Sequence, residues 1–197
     1  MPGTVHLETN ETATPTAMPP RRVPVAIKQT LKNELARLET RQIITKVIEP
    51  TDWVSSLVVV HKSNGKNRIC IDPQHLNTAL KRGHYPLPVI DDILSHISNV
   101  KVFSKADCKD GFLQCELDTE SSYLTNFQTH WGRYRYNRMP FGISPAPEIF
   151  QQKLDQNLEG FDGVFIIADD ILITGRGDTL DDANRDHDAN LSEFMQR

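Results

Sequence analysis

Two adjacent aspartates, Asp169 and Asp170, stand inside the otherwise apolar run Val164-Phe165-Ile166-Ile167-Ala168-Asp169-Asp170-Ile171-Leu172-Ile173. Ionised carboxylates among such neighbours are costly unless a cation or a hydrogen-bond donor balances them. A third acid, Asp107, closes a second apolar stretch, Val102-Phe103-Ser104-Lys105-Ala106-Asp107. If both stretches are strands of one sheet, their ends can bring Asp107 beside Asp169. Carboxylates so placed could hold two Mg²⁺ ions roughly 3.5–4 Å apart, one activating an attacking hydroxyl and both steadying phosphate oxygens during in-line displacement. Hard divalent ions favour such oxygen ligands over the nitrogen and sulfur sets that zinc prefers. On these residues alone two plainer readings stay open: an exposed Asp-Asp turn, and an acid that caps a strand end.

The elements that must position these acids follow from spacing. Ile27, Leu31, Leu35 and Leu38 recur on one helical face, predicting a helix over residues 25–42. The run Leu57-Val58-Val59-Val60, the Asn64-Gly65 turn signal and the return stretch 68–72 predict a β-hairpin. A short helix is expected over 73–80. Residues 85–88 should be extended, because each residue before a proline is pushed out of the helical region. A helix starting at Pro88 should then turn Val89, Ile93, Leu94 and Ile97 inward. Residues 101–107, 123–128, 132–137, 164–167 and 171–174 read as strands. Residues 147–158 and 179–196 read as helices. Short hairpin strands mixed with crossing helices favour an α+β domain with an antiparallel sheet covered on one face.

Composition sets wide bounds. The 197 residues suffice for one large domain or two small lobes. No apolar run approaches the roughly 18–20 residues of a membrane helix, and the Thr-, Pro- and Ala-rich start lacks the apolar core of an export signal. Cys70, Cys108 and Cys115 read as reduced thiols of an intracellular protein. Net charge is −4, but residues 178–197 hold six acids and only two bases. The balanced remainder can still carry a basic face from Arg21, Arg22, Lys62, Lys66, Arg68, Arg133, Arg135 and Arg138.

An ordered series of blocks links these features. It runs through Glu49-Pro50-Thr51-Asp52-Trp53-Val54-Ser55-Ser56, Arg68-Ile69-Cys70-Ile71-Asp72-Pro73, Leu76-Asn77 and His84-Tyr85-Pro86-Leu87-Pro88. It continues with Val102 to Asp107, Gly132-Arg133-Tyr134-Arg135-Tyr136, Met139-Pro140-Phe141-Gly142-Ile143 and Ile167-Ala168-Asp169-Asp170-Ile171-Leu172. In this order the blocks resemble the reverse transcriptase of Ty3/gypsy-type LTR retrotransposons, over roughly nine tenths of the chain.

The resemblance implies an RNA-directed DNA polymerase that transfers nucleotidyl groups to a primer 3′ end with two Mg²⁺ or Mn²⁺ ions. It implies a polymerase palm, a ferredoxin-like antiparallel sheet with helices on one face, and a fingers subdomain with a β-hairpin. The expected partners are an RNA or DNA template with primer and deoxynucleoside triphosphates. Asp107, Asp169 and Asp170 would be the catalytic metal ligands. Arg68 would grip the incoming triphosphate through paired hydrogen bonds. Lys62 and Lys66 are weaker candidates for that task and suit a solvated hairpin tip as well. Phe112 would exclude a 2′ hydroxyl by its bulk, or fill a core. Phe141 and Gly142 would line the nucleotide pocket, where glycine permits close backbone approach or serves a turn.

Residues 1–22, proline-rich and without apolar periodicity, read as disordered or extended; the resemblance implies fingers and connection over 23–100, palm over 101–178 and a truncated helix over 179–197, without thumb or RNase H. Several positions depart from the family's usual residues: Ile167 for tyrosine, His61 for lysine, Gln74 for arginine, Ala106 for leucine and Pro145 for serine. A catalytically inactive remnant that still binds nucleic acid shares the same fold. A palm-like nucleotide cyclase shares the acids, but the hairpin and the Phe141-Gly142 block speak against it.

Overall fold

The computed structural model describes residues 1–61, 67–167 and 170–196. The chain opens with β1 (Thr4–Val5), α1 (Val25–Thr40), β2 (Ile44–Val47), β3 (Ser55–His61), β4 (Asn67–Asp72) and α2 (Gln74–Ala79). It continues through α3 (Ile90–Leu94), β5 (Val100–Asp107), a 3-10 turn (Gly111–Gln114), β6 (Glu116–Leu117), α4 (Thr119–Leu124), β7 (Phe127–Thr129) and β8 (Gly132–Tyr136). It closes with α5 (Ala146–Leu158), β9 (Val164–Ile167), β10 (Asp170–Arg176) and α6 (Leu180–Gln196). Among the described residues no helix is long and apolar enough to cross a membrane.

The architecture is α+β and divides into two compact units. The first combines Met1–Gly83 with Phe112–Ala146, the second His84–Gly111 with Pro147–Arg197. Neither follows the contiguous boundaries expected from the sequence, because each is assembled from two separated stretches.

In the first unit a five-stranded sheet has the order β2-β8-β7-β3-β4. The β3/β4 hairpin is antiparallel from Ser56 opposite Asp72 to His61 opposite Asn67, while β3 meets β7 in parallel. The sheet is therefore mixed, and its β3/β4 pair is the expected hairpin. Helix α1 buries Leu31, Leu35 and Leu38, three of the four positions its periodicity picked out, and leaves Ile27 half-buried. Alternation along β8 buries Tyr134 and Tyr136, whose rings pack on the fully buried Phe127 at 5.9 and 5.2 Å.

One expectation differs in this unit. Residues 123–128 do not form one strand. Asp118 accepts a hydrogen bond from the Ser121 amide and so caps α4, which turns before β7 begins. Residues 1–22, expected to be disordered or extended, run extended and lie against the unit. β1 pairs in parallel with β6, Val5 and Leu7 are buried, and Thr16 and Met18 share backbone hydrogen bonds with Val54. The prolines there suppress helix but leave the chain free to run extended and bury single apolar side chains.

In the second unit the sheet order is β5-β10-β9, antiparallel throughout. Helix α6 covers one face. There the His187 imidazole hydrogen-bonds the Ser104 hydroxyl at 2.8 Å, and the Asn190 amide donates to the Thr174 carbonyl. Gly175 makes the close packing possible, since a Cβ there would lie 2.2 Å from the Ala183 carbonyl oxygen. The extended stretch after Gly83 is fastened to α5: the His84 amide donates to Glu148 and the Tyr85 hydroxyl to Asp155. The helix expected over 88–97 is shorter. It spans only Ile90–Leu94, buries Ile93, and leaves Val89 and Leu94 exposed rather than inward.

Candidate active site

Strand β5 alternates strictly between half-buried and exposed residues, so Phe103, Lys105 and Asp107 share one face while Ser104 and Ala106 share the other. The α6 helix packs on the Ser104 face. Asp107 therefore projects from the opposite side, where it is exposed. In the antiparallel register β10 begins with Asp170 directly opposite Asp107, followed by Ile171 opposite Ala106 and Leu172 opposite Lys105. Directly opposed residues of such a pair point to the same face, with Cα atoms about 4.5–5.5 Å apart. Two acids 63 positions apart in the chain thus become cross-strand neighbours.

Like charges directly opposite destabilise a sheet. The fold answers with Lys105, one residue pair along the same face, whose ammonium nitrogen lies 2.6 Å from Asp170 Oδ2. This hydrogen bond and the attraction of Asp170 hold the Lys105 pKa above its ordinary value. Sequence reading passed over Lys105. The available signal was its position two residues before Asp107, which on a strand puts both on one face.

Asp169 lies outside the described residues, so the third expected acid adds nothing to this geometry. Among the described residues no group of three or more His, Cys, Asp or Glu gathers as a metal cluster. The two acids that are described form a hard-oxygen donor pair with solvent access, the kind of set that divalent Mg²⁺ or Mn²⁺ takes.

The expected nucleotide-binding residues belong to the first unit. Lys62 and Lys66 lie outside the described residues, and Arg68 is placed only by its backbone, in β4 opposite Val60. Phe112 and Phe141 are brought together, half-buried, with ring centroids 5.3 Å apart and planes tilted by 43°. They form an aromatic pair rather than two separate core side chains. Gly142 has φ of +101°, and a Cβ would sit 3.1 Å from the Ile71 carbonyl oxygen, so the position demands glycine. Asn77 clamps this loop. Its amide nitrogen donates to the Gly142 carbonyl and its oxygen accepts from the Ser144 amide, both at 2.8 Å. The sequence offered Asn77 only as part of a short block. Its role depends on a loop 65 residues away.

Of the basic face expected from the sequence, Arg21, Arg133, Arg135 and Arg138 are engaged within the first unit. Arg133 donates to the Glu49 carbonyl and the Thr51 hydroxyl. Arg135 donates to the Ser122 hydroxyl and lies over the Tyr123 ring. Arg138 reaches the Gln114 carbonyl and Glu116, and Arg21 pairs with Asp72.

Comparison with known proteins gives the family and the fold. The family model for reverse transcriptase (RNA-dependent DNA polymerase) matches residues 60–197. An uncharacterized protein of Caenorhabditis elegans is 36% identical over 192 residues, covering 96% of this chain and 14% of its own length. The retrovirus-related Pol polyprotein from transposon 412 of Drosophila melanogaster is 36% identical over 140 residues, 66% of this chain and 11% of that protein. The enzymatic polyprotein of cauliflower mosaic virus (strain Strasbourg) is 35% identical over 69% of this chain and 19% of its own. The chain thus spans less than a fifth of the length of these relatives. In fold it is similar to the prototype foamy virus protease-reverse transcriptase, with a TM-score of 0.84 and 19% identity over 98% of this chain and 25% of that one. A foamy viral protease-reverse transcriptase in complex with double-stranded DNA gives a TM-score of 0.81 at 18% identity, over 94% of this chain and 31% of that one. With the family model covering more than half of the chain and the cross-strand acids in place, the protein belongs to the reverse transcriptase (RNA-dependent DNA polymerase) family.

Proposed function

We propose that the chain is the part of a Ty3/gypsy-type retrotransposon polymerase that carries out RNA-directed DNA synthesis. Asp107, Asp169 and Asp170 would serve as its catalytic metal ligands. The observation that carries this reading is the register of β5 and β10, which sets Asp107 opposite Asp170 on the sheet face away from α6. The similarity to a transposon Pol polyprotein supports the element class. Similarity in fold to a protein bound to double-stranded DNA supports a primer–template partner.

Two Mg²⁺ or Mn²⁺ ions, when bound, supply the Lewis acidity that activates a primer 3′ hydroxyl and neutralises developing phosphate charge. The chain's own part is to hold its carboxylates in place. The β5/β10 ladder sets the spacing of Asp107 and Asp170, and the Ser104–His187 hydrogen bond anchors β5 from behind. In the first unit, Phe112 braced by Phe141 provides a wall against a ribose 2′ hydroxyl, which favours deoxynucleotides. Gly142, packed against Ile71 and held by Asn77, shapes the loop that would line the nucleotide pocket. Arg68 takes the triphosphate, with Lys62 and Lys66 as further cations at the hairpin.

Primer extension on poly(rA)/oligo(dT) with Mg²⁺ or Mn²⁺ tests this reading. The wild-type chain should extend the primer, and both Asp169→Asn and Asp170→Asn should lose at least about 100-fold, since each removes charge that the ions require. Absence of extension by the wild-type chain, with primer–template binding retained, would favour the inactive remnant.

A further inference from the structure

We propose that Lys105 is a built-in counter-cation of the acid pair, occupying Asp170 until a divalent ion displaces it and thereby setting how tightly that ion binds. The inference rests on the reading of Asp107 and Asp170 as metal ligands.

Four observations support it. Lys105 and Asp107 alternate onto the same face of β5, and Asp170 stands opposite Asp107. The Lys105 ammonium lies 2.6 Å from Asp170 Oδ2, so it holds an oxygen that a metal ion would need. The pair is open to water, with the Lys105 side chain 66% and the Asp170 side chain 38% exposed. An exposed pair of this kind is held weakly and exchanges readily, so an entering dication can replace it. Finally, Lys101, further along the same face, donates to the Asp178 carbonyl instead, so Lys105 serves this carboxylate specifically.

The chemistry is a competition for one carboxylate. Without a cation, Asp107 and Asp170 would repel across the ladder. Lys105 relieves that repulsion in the metal-free protein. The same ammonium must leave Asp170 before a dication takes both acids. Deleting it should tighten metal binding by the factor an exposed ion pair is worth, about two- to fivefold.

The test is a titration of Mn²⁺ into the full chain, following free Mn²⁺ by electron paramagnetic resonance. Lys105→Met should bind Mn²⁺ about two- to fivefold more tightly than wild type. Lys105→Arg, which keeps the charge, should stay near wild type. Lys101→Met removes an equal charge from the same face and should also stay near wild type. Unchanged or weaker binding by Lys105→Met, or equal tightening by Lys101→Met, would overturn the inference. Asp170→Asn separates this from failure of the underlying reading. If Asp170→Asn binds Mn²⁺ as tightly as wild type, the acids are not the metal site and both fall. If it binds less tightly while Lys105→Met matches wild type, only the role of Lys105 falls.

Discussion

His6 and Asp118 show how much a single pair can decide. The His6 ring nitrogen lies 2.6 Å from Asp118 Oδ2, and Asp118 also caps α4 through the Ser121 amide. The hydrogen bond to Asp118 raises the His6 pKa above its ordinary value of 6.5, with Glu8 and Glu120 adding to the effect. Burial works to raise Asp118, but hydrogen bonds from Ser121 and His6 outweigh it and hold the carboxyl below its ordinary 3.8. The two shifts give opposite limits. The His6 contribution is complete below 6.5 and fades as pH rises through the raised value. The Asp118 contribution is complete above 3.8 and fades as pH falls through the lowered one. The strap formed by residues 4–9 should therefore be held best between these limits and loosen in mild alkali. Hydrogen exchange of that strap, corrected for intrinsic rates, should show more protection at about pH 5.5 than at about pH 8. His6→Ala should remove the difference, and equal protection in the wild type at both values would refute this account.

At the scale of elements, the acid face depends on what covers its reverse. The sheet β5-β10-β9 has α6 on one side only, and Gly175 is where helix and strand backbones approach most closely. A Cβ at Gly175 would fall 2.2 Å from the Ala183 carbonyl and 2.5 Å from His187 Cβ, so α6 would have to shift away. Gly175→Ala is expected to destabilise the protein by about 1–3 kcal/mol, the usual range for forced overpacking. Urea unfolding followed by circular dichroism measures this. A neutral or stabilising result would mean that α6 is not packed as described. The shift would also strain the Ser104–His187 hydrogen bond and disturb β5 beneath Asp107.

For the whole molecule, what could be read in advance was the periodic and the local. The apolar spacing of α1, the β3/β4 hairpin, the strands bearing Asp107 and Asp170, and helices α5 and α6 all carry strong patterns within a few residues. The misreadings have physical causes. Residues 123–128 look like a strand because Tyr123, Leu124 and Phe127 are bulky, yet Asp118 upstream starts a helix that uses the first two. Val89 and Leu94 look inward by helical spacing, yet the helix is too short to enforce it. The order in residues 1–22 comes from pairing with β6, which no local pattern announces. In the candidate site, the residue types of Asp107 and Asp170 were visible, but their register was not, because a one-residue slip would turn either acid to the other face. Lys105 and Asn77 act through partners 65 residues distant in each case.

The central claim is that the β5/β10 register brings Asp107 and Asp170 together as ligands of divalent ions. A crystal of the chain soaked in Mn²⁺ and measured at the manganese absorption edge addresses it most directly. The account predicts an anomalous peak between the Asp107 and Asp170 carboxylates, with the Lys105 ammonium turned away from Asp170. Density showing the two carboxylates on opposite faces of the sheet, or manganese bound elsewhere with the Lys105–Asp170 pair intact, would contradict it.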